Sequence, residues 1–180
     1  MQGLGAVGEP LLEYLKEGGL EVRATDINNE TLQRLQTKYG FKTVKPEEIY
    51  GVECDIFCPC AMGGILNDRT IPRLRCQLVA GCANNQLEDE ERHSRMLRER
   101  GILYSPDYII NAGGVIQAID ELQGYHPERV RMKTERIYGR LLHIFETAKR
   151  EDILPLEAAD RYAESRIREI HKMKRLYVPE

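Results

Sequence analysis

Three glycines near the start of the chain, Gly3, Gly5 and Gly8, are spaced G-x-G-x-x-G, and this spacing constrains the fold more than any other feature. A turn of this kind joins a β-strand to a helix. One glycine makes the bend, one lets a phosphate approach the backbone, and one lets the helix pack closely. The downstream residues fit. "EPLLEYLKEGG" carries Leu11, Leu12 and Leu15 on one helical face and ends at Gly18 and Gly19; Pro10 falls in the first turn, where a missing N–H costs little. Only Met1 and Gln2 precede Gly3, so the strand that feeds such a turn is expected to be missing.

Strand and helix patterns then alternate. "LEVRATDI" (20–27) reads as a strand, "NNETLQRLQTKYG" as a capped helix and "FKTV" as a short strand. "CDIFCPC", "LVAGCAN" (78–84) and "ILYSP" (102–106) read as further strands, and "EDEERHSRMLRERG" as a polar helix with few apolar anchors. Such alternation predicts an α/β fold: a Rossmann-type doubly wound parallel sheet, truncated at its first strand and followed by C-terminal helices. From about Val115 onward the pattern is helical only. The expected division is a dinucleotide-binding domain over 1–125 and a helical segment over 126–180. The acids Glu157, Asp160, Glu164 and Glu169 interleave with the basic residues of the last helix, which predicts a solvated face.

Composition removes other classes. A net charge of -3 gives no electrostatic case for binding nucleic acid or an anionic membrane. No apolar run approaches the roughly 20 residues that span a bilayer, and no signal peptide pattern opens the chain; a cytoplasmic location is expected. Cys54, Cys58, Cys60, Cys76 and Cys82 lack zinc-site spacing and form no C-x-x-C pair, so structural thiols are expected and no metal.

Asp26 closes the second strand, 18 residues after Gly8. An acid at that point accepts hydrogen bonds from the adenosine ribose and repels the 2′-phosphate of NADP, which predicts NAD as cofactor. A second reading makes Asp26 the cap of the helix that begins near Asn28.

The blocks "QGLGAVG", "TDIN", "CDIFCPCAMGG", "VAGCANNQL" and "YSPDYIINAGGVIQAIDEL" together resemble the nucleotide-binding domain of the leucine dehydrogenase family, the Glu/Leu/Phe/Val dehydrogenases. The likeness continues through "GYHPERVRMKTERIYG" and "LPLEAADRYAESRI". It implies cofactor contacts at Gly3, Leu4, Gly5, Ala6, Val7 and Gly8 around the pyrophosphate, and at Asp26 and Ile27 by the adenosine ribose. Pro59, Cys60 and Ala61 would line the cleft, with Ala83, Asn84 and Asn85 near the nicotinamide ribose. Asn111 would serve nicotinamide and substrate alike, and Val115 and Ala118 would wall the side-chain pocket. Leucine-preferring members usually carry a larger valine at the last position, so Ala118 leaves extra room.

The implied reaction is reversible oxidative deamination of a branched-chain or other apolar L-amino acid to the 2-oxo acid, ammonia and NADH. The implied assembly is a homo-oligomer. The family's two catalytic lysines belong to a substrate domain N-terminal to this one, which is expected to be absent here, so no catalytic residue is assigned. Three readings follow: the cofactor-binding half of the enzyme, an NAD-binding module without turnover of its own, and an inactive gene fragment.

Overall fold

The computed structural model describes the backbone of residues 1–176 and the side chains of residues 1–172. Helix α1 (Gly8–Glu17) leads to β1 (Arg23–Ala24), α2 (Asn29–Tyr39) and β2 (Lys42–Thr43). Next come β3 (Ile56–Phe57), β4 (Leu78–Val79), α3 (Glu90–Glu99) and β5 (Leu103–Tyr104), with 3₁₀ turns at Ile49–Gly51 and Ile71–Arg73. The chain ends in α4 (Asp107–Ile110), α5 (Gly113–Glu121), α6 (Pro127–Glu151) and α7 (Pro155–Leu176). Local chemistry sets the ends of α2. The Asn28 side chain accepts from the Thr31 N–H at 3.0 Å, and Gly40 closes the helix in the left-handed region at φ 64°.

Every strand pair is parallel. β1 pairs with β2, and β3, β4 and β5 pair in that order. Gln2 joins the two groups, bridging in parallel to Thr25 on one side and Pro59 on the other. The spatial order is therefore β2, β1, Met1–Gln2, β3, β4, β5, and the order reverses at the centre as in a doubly wound sheet. Right-handed crossovers on the two sides of that reversal carry helices to opposite faces.

The first strand is truncated, as the sequence leads one to expect. Met1 and Gln2 retain its last rung. The Met1 carbonyl accepts from Thr25 N–H at 3.1 Å, Gly3 N–H donates to the Thr25 carbonyl at 2.9 Å, and Gln2 N–H donates to the Cys58 carbonyl at 2.9 Å. The strands themselves are shorter than their sequence patterns. The segment 20–27 forms a ladder only at Arg23–Ala24, and 78–84 only at Leu78–Val79. A ladder lasts only while both neighbours run alongside and donate, and prolines have no N–H to give; Pro46 and Pro59 interrupt the segments after β2 and β3.

The core is split. One cluster gathers Met1, Leu4, Leu12, Val22, Leu35 and Phe41 around α1, α2 and β1. A second gathers Ile49, Phe57, Leu66, Ile71, Val79 and Leu97 around β3 to β5. The polar helix α3 contributes a fully buried Leu97 and a buried His93, whose Nδ1 accepts the Asp89 N–H at 2.9 Å. A smaller cluster of Ile144, Ala148, Ala158 and Ala159 holds α6 against α7. The division anticipated after residue 125 falls where α6 begins, with His126 as its first cap residue. Helix α7 packs on both α6 and β5, and the Tyr108 hydroxyl donates to the Asp160 carboxylate at 2.5 Å. Among the described residues no helix is long and apolar enough to cross a membrane.

Candidate nucleotide site

Parallel strands deliver their C-terminal ends to one edge of the sheet, and the crevice where strand order reverses is where such sheets hold ligands. The glycine turn, Asp26, Pro59–Ala61 and Ala83–Asn85 all follow directly on strand ends that meet at this edge. Asn111 lies between α4 and α5, and its side-chain amide donates to the Asn84 side-chain oxygen at 2.6 Å. Of the sequence-derived residues, Val115 and Ala118 lie furthest along, on an exposed face of α5.

The three glycines have three different physical reasons. Gly3 has φ 96°, and a Cβ there would meet Ala61 and Cys60 at 2.8 Å. A Cβ on Gly8 would come within 2.4 Å of the Gly3 carbonyl oxygen, so α1 can start against the turn only without a side chain. Gly5 is different. No heavy atom lies within 4 Å of the place its Cβ would occupy, and its φ is not in the left-handed region. Nothing inside the protein requires a glycine there. Ala6 and Val7 beside it are exposed.

The start of α1 is also left uncapped. Val7 supplies no side-chain acceptor, whereas Asn28 caps α2 and Asp89 caps α3. Helix N-termini with free amides attract anions. The acid in that first turn, Glu9, is engaged by the Arg34 guanidinium through two hydrogen bonds, at 2.8 and 3.1 Å. That pairing holds the Glu9 carboxyl below its ordinary pKa and offsets its charge.

Asp26 is half-buried, and it is not the cap of α2; Asn28 has that role. One carboxylate oxygen of Asp26 accepts the Leu4 N–H at 2.7 Å, and the other accepts the Asn28 N–H at 2.8 Å. The acid thus ties the glycine turn to the end of β1, and each oxygen keeps a lone pair for a second donor. Ile27 beside it is 90% exposed.

The wall made by β3 and β4 is tightly built. The Ala83 N–H donates to the Pro59 carbonyl at 3.0 Å, and a Cβ on Gly81 would sit 2.1 Å from that same oxygen. The Cys82 neighbour and burial push the Cys60 thiol up, and the Cys60 neighbour lowers Cys82. Two supporting residues gave no signal in the sequence. Fully buried Gln86 donates through its side-chain amide to the Gly81 and Ala83 carbonyls at 3.0 and 2.9 Å, fixing the turn that carries Asn84 and Asn85. Buried Asp107 accepts from the Gln86 N–H at 3.3 Å and from the Tyr108 N–H at 2.9 Å, linking that turn to α4. A lone Gln in a loop and a lone Asp opening a four-residue helix carry no periodicity, so only the fold reveals them.

A third anchor holds α5. Buried Asp120 accepts from Arg129, from Lys133 at 3.2 Å and from the His126 N–H at 2.9 Å. Arg129 above all holds its carboxyl well below the usual carboxylate range. Among the described residues no group of three or more His, Cys, Asp and Glu is placed to hold a metal ion.

Residues 18–174 match the family model of Glutamate/Leucine/Phenylalanine/Valine dehydrogenase. The chain belongs to this family. It is 51% identical over 178 residues to a leucine dehydrogenase of Thermoactinomyces intermedius, covering 99% of this chain and 48% of that protein. It is 47% identical to the phenylalanine dehydrogenase of the same organism, with 98% and 48% covered. The crystal structure of L-tryptophan dehydrogenase from Nostoc punctiforme superposes with a TM-score of 0.93 at 46% identity, covering 95% of this chain and 52% of that one. These relatives are amino acid dehydrogenases, and the chain spans about half the length of the curated relatives it matches.

Proposed function

We propose that this chain is the cofactor-binding half of an NAD-dependent amino acid dehydrogenase. The reaction of the whole enzyme is the reversible oxidative deamination of a branched-chain or other apolar L-amino acid to the 2-oxo acid, ammonia and NADH. One observation carries the reading: Gly5 leaves open space against the backbone at the start of α1, which has no side-chain cap, so a phosphate has room to approach there. The residues fit a dinucleotide. Leu4, Gly5, Ala6 and Val7 would present backbone to the pyrophosphate, with α1's first amides directed at its charge. Asp26, with a free lone pair on each oxygen, would accept from the adenosine ribose hydroxyls. A 2′-phosphate placed there would face that carboxylate, which favours NAD over NADP.

Cys60, Ala61, Ala83, Asn84 and Asn85 would run along the nicotinamide half, and Asn111, held by Asn84, would reach both nicotinamide and amino acid head. Bound NAD would supply the hydride acceptor; this chain's part is to orient the ring and help exclude water. Val115 and Ala118 would form one wall of the side-chain pocket, and the small Ala118 fits a substrate bulkier than leucine as well as leucine itself. Proton transfer at the substrate nitrogen is assigned to no residue here. Lys42, Lys45 and Lys133 are engaged with Glu21, Glu48 and Asp120. The same reading has the complete enzyme as a homo-oligomer.

The test is titration of the 180-residue chain with NADH and NADPH, followed by fluorescence. NADH should bind at least about tenfold more tightly, since 1.4 kcal/mol of unfavourable phosphate–carboxylate contact is a factor of ten. Equal affinities, or no binding of either, would defeat the assignment. With NAD and L-leucine, L-valine or L-phenylalanine, the chain by itself should form no NADH above blank.

A further inference from the structure

Two cysteines face one another across the ends of β3 and β4. Ile56 pairs with Leu78 and Phe57 with Val79. Carried along both chains, that register sets Pro59 against Gly81 and Cys60 against Cys82. The approach is close, since a Cβ on Gly81 would sit 2.1 Å from the Pro59 carbonyl oxygen. Neighbouring strands run about 4.8 Å apart, inside the roughly 4.4–6.8 Å between Cα atoms that a disulfide spans. Both backbones are held. Cys60 N–H donates to the Gln2 carbonyl at 2.7 Å, and the Gln86 side chain fixes the Gly81 and Ala83 carbonyls on either side of Cys82. Both thiols are free and half-buried, which leaves them open to a small solute.

The two sulfurs are not equivalent. The chain bends after Gly81, so that Ala83 N–H, and not Cys82 N–H, meets the Pro59 carbonyl. The Cys82 N–H is left out of the ladder and lowers both thiols. The Cys60 neighbour, with that amide, holds Cys82 at about 7 against burial, whereas Cys82 and burial push Cys60 up. Near neutral pH one sulfur is a thiolate and the other keeps its proton, which suits an attacking and a resolving thiol. The same ladder sets Cys54 against Cys76 at its other end, next to the Glu53–Arg75 bridge. Burial raises both of those thiols, so neither begins the reaction at neutral pH.

We propose that Cys60 and Cys82 are a reversible dithiol–disulfide site, oxidised by hydroperoxides, in the strand-end wall of β3 and β4. The Cys82 thiolate attacks a peroxide oxygen; an S–O bond forms, the O–O bond breaks, and the leaving hydroxide takes up the thiol proton as water. Cys60 then attacks the Cys82 sulfur; the S–S bond forms, the S–O bond breaks, and hydroxide leaves with the Cys60 proton as a second water. Two thiols lose two electrons and hydrogen peroxide becomes two waters. A dithiol reductant reverses the change by exchange and ends as the disulfide itself. The bond ties the turn bearing Asn84 and Asn85 to the end of β3. The proposal rests on strand register and is independent of the cofactor reading.

In the test, the reduced 180-residue chain is treated with hydrogen peroxide at pH 7, digested without reduction and mapped by fragment mass spectrometry. The first product should be lighter by two hydrogens, with Cys60 linked to Cys82, and dithiothreitol should restore the parent mass. Dimedone, which traps sulfenic acid, should label Cys82 at least about tenfold more in Cys60→Ser than in the parent. A first link between any other pair, or oxidation of Cys82 in the parent with no link, would overturn the proposal. Equal dimedone labelling of the two proteins would do the same. Should Cys60→Ser fail to fold, the map of the parent decides by itself.

Discussion

Replacing Gly5 with alanine separates what the nucleotide site needs from what the fold needs. In the protein alone the new methyl meets nothing within 4 Å and the backbone is in a region open to any residue. The expected folding effect is a gain of about 0.4–1 kcal/mol, because alanine lowers the entropy of the unfolded chain. For a chain of this size that raises Tm by roughly 1–4 °C. The nucleotide tells the opposite story. A phosphate held by the Gly5 region sits at hydrogen-bond distance from the backbone, where a Cβ intrudes and at least one charge-assisted bond is lost. Such a bond is worth about 1.5–3 kcal/mol, a 10- to 150-fold weakening of NADH binding. Gly81→Ala is the control, since its Cβ would lie 2.1 Å from the Pro59 oxygen and must displace backbone; it should lose several kcal/mol of stability, with binding lost as a consequence. Calorimetric melting and NADH titration of the three proteins decide the matter. NADH affinity within threefold of the parent for Gly5→Ala would refute the reasoning, and so would a Tm drop beyond about 4 °C.

Two further outcomes are expected. Asp120 has its folded pKa depressed by Arg129, so its contribution is present above the unfolded value near 3.9 and fades as pH falls below it; Asp120→Asn should lower Tm at pH 7, and the gap from the parent should narrow below about pH 4, whereas a gap that is independent of pH would contradict the ion-pair account. Cys82 is held below an ordinary thiol by Cys60, while burial raises Cys54, Cys58 and Cys76; iodoacetamide at pH 7 should therefore label Cys82 first, and Cys82→Ser should remove the fast phase, with unchanged labelling kinetics counting against it.

The sequence made the parallel α/β fold legible because its cues are local. Glycines stop α1 and α2, β-branched runs mark strand positions, and acids and amides cap helices within three residues. Strand lengths were not legible, since pairing depends on what lies alongside. The run 20–27 pairs with β2 over two residues only, a fact set by residues 19 positions further along the chain and by prolines outside the run. The role of Asp26 was half legible. Its position suggested either ribose binding or a helix cap, and the structure gives the cap to Asn28 while assigning Asp26 to the glycine turn through Leu4. Gln86 and Asp107 were invisible, because burial decides their roles and neither residue sits in a periodic pattern that would encode it.

The candidate nucleotide edge hangs on Gln2, Gly3 and Leu4. Gly3 hangs from the Thr25 carbonyl, Cys60 N–H from the Gln2 carbonyl at 2.7 Å, and Leu4 N–H from Asp26. The turn that would cradle a pyrophosphate is therefore suspended from the last rung of the central strand. A rung at the margin of a ladder frays more readily than one inside it. Nucleotide affinity is scaled by the fraction of molecules in which the turn is formed, so whatever secures Met1 and Gln2 strengthens binding without touching the ligand. Linkage makes the effect mutual: a nucleotide that requires the formed turn must stabilise the rung by the same free energy. Nucleotide affinity would in this sense report on how firmly the Met1–Gln2 rung is held between β1 and β3.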